Sequence, residues 1–160
     1  MVLKRRSIPA ECLDLIKQFE GFESAPYLCP AGEPTIGYGS TSYADGTRVT
    51  MKDDPISEAK ASMMLERFVV HIWTFVDERI MHELDDNQMA ALCSFVYNVG
   101  PGAFATSTLL RVINENPLSP KIKTELARWN KAGGKVNRGL VNRRKAESQL
   151  YFKPAVLRAV

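Results

Sequence analysis

Leu13, Ile16 and Phe19 recur at helical spacing behind Pro9, with Leu15 beside them. A proline there suits a first helical turn, so the pattern predicts a helix over residues 9–20 that ends at Gly21. The period then changes. Glycines at 21, 32, 37, 39 and 46 and prolines at 26, 30 and 34 separate short apolar or β-branched pieces. These pieces are Pro26-Tyr27-Leu28, Thr35-Ile36-Gly37-Tyr38 and Thr47-Arg48-Val49, and Asp45-Gly46 adds a turn signal. Residues 21–50 therefore predict a small twisted sheet with tight turns. Beyond Pro55, Ser57 is placed to cap a long helix reaching about Ile80. Its apolar set, Ala59, Met63, Met64, Phe68, Ile72, Phe75 and Val76, steps by threes and fours. From Asp85 onward the pattern is helical. Asp85 or Asp86 caps a helix through Met89, Leu92, Cys93, Val96 and Tyr97, stopped by Gly100-Pro101-Gly102. Short helices follow near 105–114 and 119–130, Gly133-Gly134 interrupts, and a last helix covers about 137–151.

The fold class expected from this order is α+β and mainly α-helical. A small sheet lobe (about 21–55) is joined by the long helix to a helical lobe (about 80–152 plus the first helix, 9–20), with a cleft between. Residues 1–160 read as a single domain without repeats or linkers. A chain of this length buries roughly 70% of its unfolded surface, so it needs neither a disulfide framework nor a metal to fold. The three cysteines, Cys12, Cys29 and Cys93, form no CxxC pair and no Cys/His cluster. The reading therefore expects no metal, no cofactor and synthesis in a reducing cytosol.

Charge adds a partner class. The net charge is only +3, but residues 121–145 hold nine basic side chains against one acid, Glu125. These are Lys121, Lys123, Arg128, Lys131, Lys135, Arg138, Arg143, Arg144 and Lys145. They read either as a solvated helical surface or as an attraction to a polyanion. With one interleaved aromatic, Trp129, and no nucleic-acid-binding motif, nucleic acid is the weakest polyanion. No apolar run of about 18 residues crosses a membrane. Lys4, Arg5 and Arg6 are followed by Pro9, Glu11 and Asp14 rather than by an apolar stretch, which argues against a secretory signal.

Three residues stand out for chemistry. Glu20 ends the first amphipathic helix, between Phe19 and Gly21-Phe22. An acid at a helix C-terminus is electrostatically disfavoured, a hint that another need holds it there. As a proton donor it requires a partly apolar site that keeps it protonated. Cys29 and Thr35 flank the turn Pro30-Ala31-Gly32-Glu33-Pro34. Alone, each has a bland reading: a surface glutamate, a small apolar thiol and a β-branched strand residue.

Their combination is specific. Eight residues separate Glu20 from Cys29, five separate Cys29 from Thr35, and Ile36-Gly37-Tyr38-Gly39 follows. This run resembles the signature of glycoside hydrolase family 24, the phage-type lysozymes: Glu, eight residues, Asp or Cys, five residues, Thr, then Ile-Gly-aromatic-Gly. The segments 86–100, Ser107-Thr108-Leu109-Leu110, 129–134 and Gly139 to Glu147 are similar to the family's later helices, so the likeness spans roughly residues 8–152. The resemblance implies a lysozyme-like fold and hydrolysis of the β-1,4 bond between N-acetylmuramic acid and N-acetylglucosamine. It implies Glu20 as general acid, Thr35 positioning a water, and position 29 assisting that water. Because a free thiol is mostly neutral at pH 7, Cys29 stands open as a base, a water-orienting thiol or a nucleophile, with Glu33 a nearby substitute acid. The family also implies a basic residue beside the glutamate; Arg138 and Arg143 both lie in the matching segment. The partner expected is bacterial peptidoglycan, met by a monomer made in the host cytoplasm and released to the wall by a separate pore. The rivals are a lytic transglycosylase and a catalytically weak wall-binding module.

Overall fold

Seven helices and two short hairpins follow one another along residues 7–156, the part described by a computed structural model. Lys4, Arg5 and Arg6, weighed above as a leader start, lie outside the described residues. α1 (Ala10–Glu20) leads into the hairpin β1 (Glu23–Leu28) and β2 (Pro34–Gly37). The long helix α2 (Glu58–Asp77) follows, then α3 (Asp86–Val99), α4 (Pro101–Ala105), α5 (Thr108–Glu115) and α6 (Lys121–Ala127). A second hairpin, β3 (Lys131–Ala132) and β4 (Lys135–Val136), precedes α7 (Arg138–Tyr151).

α3 is the axis of the core. Its residues from Gln88 to Val96 are buried without interruption, the mark of a helix surrounded on all sides. α1, α2 and α7 all pack against it. Ile16 of α1, Leu65 of α2, Leu92 and Phe95 of α3 and Tyr151 of α7 belong to one apolar cluster. Each such side chain contributes about 1.5–3 kcal/mol by leaving water. The helix start is fixed at Asp85, not Asp86: the Asp85 carboxylate accepts from Gln88 N–H (2.8 Å) while the Gln88 side chain accepts from Asp85 N–H (2.9 Å). Ser57 caps α2 as expected, accepting from Lys60 N–H.

The sheet differs from its expected form. β1 and β2 pair antiparallel with Tyr27 opposite Thr35, and an irregularity between Glu23 and Tyr27 shifts the register. The third piece, Thr47-Arg48-Val49, adds no strand to this pair. It folds back on its own loop, with Val49 N–H donating to Thr41 (2.9 Å) and Tyr43 N–H to Thr47 (2.8 Å). The Asp45 carboxylate accepts from Thr47 N–H, so the Asp45-Gly46 turn closes locally. Gly37 anchors the other end. Its φ is +68°, and a Cβ there would lie 3.0 Å from the Ala61 side chain of α2. The bare backbone lets β2 rest directly on α2.

Three boundaries also move. Gly100-Pro101-Gly102 does end α3, but Pro101 opens α4, since its fixed φ and missing N–H suit a first helical position. α2 stops at Asp77, three residues short of Ile80. Gly133-Gly134 does not merely interrupt: both glycines take positive φ and form the turn of the β3–β4 hairpin.

Candidate active site

Glu20 is the last residue of α1, and Gly21, at φ +70°, turns the chain away into β1. The Glu20 side chain is partly covered, and its Oε1 accepts a 2.6 Å bond from Nη1 of Arg143 on α7. This cation offsets the unfavourable placement of an anion at a helix C-terminus. Arg143 is itself buried and uses its other nitrogens inward. Nε donates to Glu147 Oε1 (3.3 Å) and Nη2 to the Ser94 carbonyl (3.1 Å) on α3. Glu147 is fully buried and also accepts from the Ser94 hydroxyl (2.8 Å). A second guanidinium, Arg144, meets the same carboxylate: Nη2 donates to Oε1 (3.0 Å) and Nε lies 2.8 Å from Oε2. Arg144 Nη2 also donates to Asn98 Oδ1 (2.9 Å). Glu20, Arg143, Glu147 and Arg144 thus alternate in sign from the molecular surface into the core. Burial pushes the Glu147 carboxyl up from its ordinary value, and the two arginines pull it back. Burial pushes Arg144 down, and Glu147 opposes that.

Gly39 and Tyr97 press against the acid from the other side. A Cβ on Gly39 would stand 3.5 Å from Glu20 Oε2 and 3.3 Å from the Tyr97 hydroxyl. Gly39 takes φ +91°, so glycine satisfies both the backbone and the space. Tyr97 donates to the Tyr38 carbonyl (2.5 Å), tying α3 to the loop after β2. Burial raises the Tyr97 phenol far above its ordinary value, and the negative charge of Glu20 adds to it.

Cys29 and Thr35 are brought together by one carbonyl. Glu33 C=O accepts from Cys29 N–H (3.0 Å) and from the Thr35 hydroxyl (2.9 Å). Cys29 is partly exposed at the hairpin end, whereas Thr35 is buried on β2. The Cys29 thiol is lowered from its ordinary value, chiefly by hydrogen bonding from the Glu33 backbone. Desolvation and the negative charge of Glu33 oppose this, while the Ala31 backbone assists. Tyr27, opposite Thr35, links this end to the acid: after burial, the negative charges of Glu20, Glu23 and Cys29 raise its phenol.

Comparison with known proteins gives the family. The phage lysozyme family model matches residues 17–147. The chain belongs to the phage lysozyme family. It is 39% identical over 142 residues to an endolysin of Bacillus phage B103, covering 88% of this chain and 52% of that protein. It is 36% identical to an endolysin of Acyrthosiphon pisum secondary endosymbiont phage 1, covering 87% of this chain and 93% of the relative. The chain thus spans about half the length of the Bacillus phage endolysins it matches. The solved endolysin from Escherichia coli O157:H7 phage FAHEc1 superposes with a TM-score of 0.81 at 33% identity, over 92% of this chain and 94% of that one. The architecture is lysozyme-like, mainly helical with small antiparallel sheets.

Within this family fold the two candidate arginines separate. Arg143 contacts Glu20; Arg138 is the exposed first residue of α7. Five residues along a helix turn the side chain by about 140° from its starting face, so one helix cannot present both to one carboxyl. The cation beside Glu20 is Arg143. One expectation is corrected. The basic run is not one surface, because Arg143 and Arg144 are buried while the other seven basic residues are exposed. The sequence pattern alone does not assign Ser94, Tyr97 or Glu147 to the site, and it reads Arg144 as part of the basic run. A signal existed: Glu147 lies three and four residues from two arginines on one helix, the spacing at which side chains meet. A cavity of about 510 Å³ between α6 and α7, lined by Lys123, Arg144, Lys145 and Phe152 among others, does not include Glu20, Cys29 or Thr35.

Arg143→Ala is expected to destabilise the fold by about 3 kcal/mol or more, because it breaks a buried charge network. Arg138→Ala stays within about 0.5 kcal/mol of wild type. Urea unfolding of the two variants checks the contrast; equal losses would contradict it.

Proposed function

We propose that this chain is an N-acetylmuramidase that hydrolyses the β-1,4 bond between N-acetylmuramic acid and N-acetylglucosamine in bacterial peptidoglycan. The observation that carries this reading is the grip of Arg143 on Glu20, which fixes the acid at the end of α1 beside the hairpin that bears Cys29 and Thr35. Glu20 is the general acid and protonates the departing glycosidic oxygen. Thr35 positions a water. Its hydroxyl has one proton, and when Glu33 accepts it the lone pairs remain to accept from that water. Cys29 assists on the opposite face of the sugar. A thiol lowered by backbone donors has a larger thiolate fraction near neutral pH, and the thiolate is the form that takes a proton from water. The outcome is inversion at the anomeric carbon. The enzyme acts as a monomer on the wall, after synthesis in the host cytoplasm and release by a separate pore. Among the described residues, no helix is long and apolar enough to cross a membrane.

Glu20→Gln should lower wall lysis by about a hundredfold or more, the usual contribution of a general acid. Mass spectrometry of wild-type products should show hydrolysed reducing ends; anhydro-muramic ends, lighter by one water, would assign a lytic transglycosylase instead. Lysis unchanged by the substitution would leave only a wall-binding module.

NMR of freshly formed products should show the α anomer first. A retained β anomer would make Cys29 a nucleophile. Cys29→Ala should lose most activity while Glu33→Gln keeps it; the opposite result moves the second role to Glu33.

The seven exposed basic residues of segment 121–145 face a wall that carries peptide carboxylates. Activity on whole walls should fall more steeply between low and physiological salt than activity on short neutral oligosaccharides. Equal salt dependence would detach these charges from wall binding.

A further inference from the structure

We infer that Glu147, fully buried beneath the site, is a positioning residue whose carboxylate takes up part of the Arg143 charge and so lets Glu20 hold the proton it must transfer. The inference rests on the muramidase reading and starts from a conflict inside it. A general acid must arrive protonated, yet the geometry puts a guanidinium nitrogen 2.6 Å from it. A cation in contact favours the ionised carboxylate. An arginine alone would hold Glu20 in place and take its proton away.

The second carboxylate addresses this conflict. Arg143 divides its donors: Nη1 to Glu20, Nε to Glu147 and Nη2 to the Ser94 carbonyl. With Glu20 protonated, Arg143, Arg144 and Glu147 leave one net positive charge; without the Glu147 charge they leave two. The Glu147 anion is supported on Oε1 by the Ser94 hydroxyl and Arg144 Nη2, while Oε2 lies 2.8 Å from Arg144 Nε without a hydrogen bond. Lys17, one turn earlier on α1, sets its ammonium over the Tyr38 ring, 5.3 Å from the centroid, and among the described residues makes no ion pair with Glu20. Further groups near Glu20 are neutral or acidic. They are the Tyr97 phenol from α3 and the Tyr27 phenol from β1, with Cys29 and Glu23 beyond it. Arg143 is thus the cation in contact with the acid, and Glu147 limits how far that cation favours the ionised form.

The test is the pH–rate profile of Glu147→Gln, whose amide keeps the shape and removes the charge. A general acid loses activity as pH rises through its ionisation, so the alkaline limb of kcat marks the proton on Glu20. The glutamine variant should move that limb to lower pH by about one unit or more. Glu147→Asp, whose carboxylate draws back from Arg143, should move it the same way by less. Should the glutamine variant fail to fold, the aspartate variant decides. A limb that stays in place while kcat falls, in whichever of the two folds, would overturn the inference and leave Glu147 a packing residue. Carboxyl-selective ¹³C NMR of Glu20, followed in parallel, needs no turnover. An inactive wild type would therefore sink the muramidase reading, while the NMR titration still judges Glu147.

Discussion

One guanidinium ties the molecule together. Arg143 on α7 reaches Glu20 at the end of α1 and Ser94 on α3 at once. A charged group that is 4% exposed is tolerable only when its donors are matched, because an unpaired buried charge costs several kcal/mol. The three helices must therefore arrive in register. Arg144 and Glu147 follow from the same need, since the anion that neutralises the inner side of Arg143 is itself buried and needs a second cation. The network makes weak use of stability, as apolar side chains of equal volume would pack with less desolvation. What it secures is the position of one carboxyl group.

The hairpin solves its part of the problem by other means. Cys29 and Thr35 are close because the turn is short and one backbone carbonyl accepts from both. Nothing distant is required. The two halves meet where Gly39 lies against Glu20 and where Tyr97 of α3 donates to the Tyr38 carbonyl. Bare backbone at Gly37 and Gly39 permits both approaches, to α2 and to Glu20.

This division explains what the chain disclosed before its fold was seen. The closeness of Cys29 and Thr35 was legible, because the two flank one short turn. The helices were legible as periodicity, and Ser57 declared its cap. Where local signals had two meanings, boundaries slipped. Pro101 stops one helix and starts another, and Gly133-Gly134 is both a break and a turn. The third sheet piece, Thr47 to Val49, had strand propensity but paired within its own loop, since pairing depends on partners that propensity does not name. The choice between Arg138 and Arg143 was beyond local reading, because it turns on which face of α7 meets α1, more than a hundred residues away in the chain. The charge count misled for the same reason: arginines read as surface were consumed inside.

The two halves should also differ in how they tolerate change. Cys29 is partly exposed and held through its own backbone N–H, a group that every residue except proline supplies. Its side chain can vary with little cost to folding, so acid–base chemistry at that position is free to be tuned. Arg143 has no such freedom. Its charge, length and planar fork are all in use, and lysine could not supply donors to Glu20, Glu147 and Ser94 in one plane. Glu147 is bound by the same constraint from the other side. The position of Glu20 is thus coupled to the stability of the helical core, while the closeness of Cys29 and Thr35 is set by a turn.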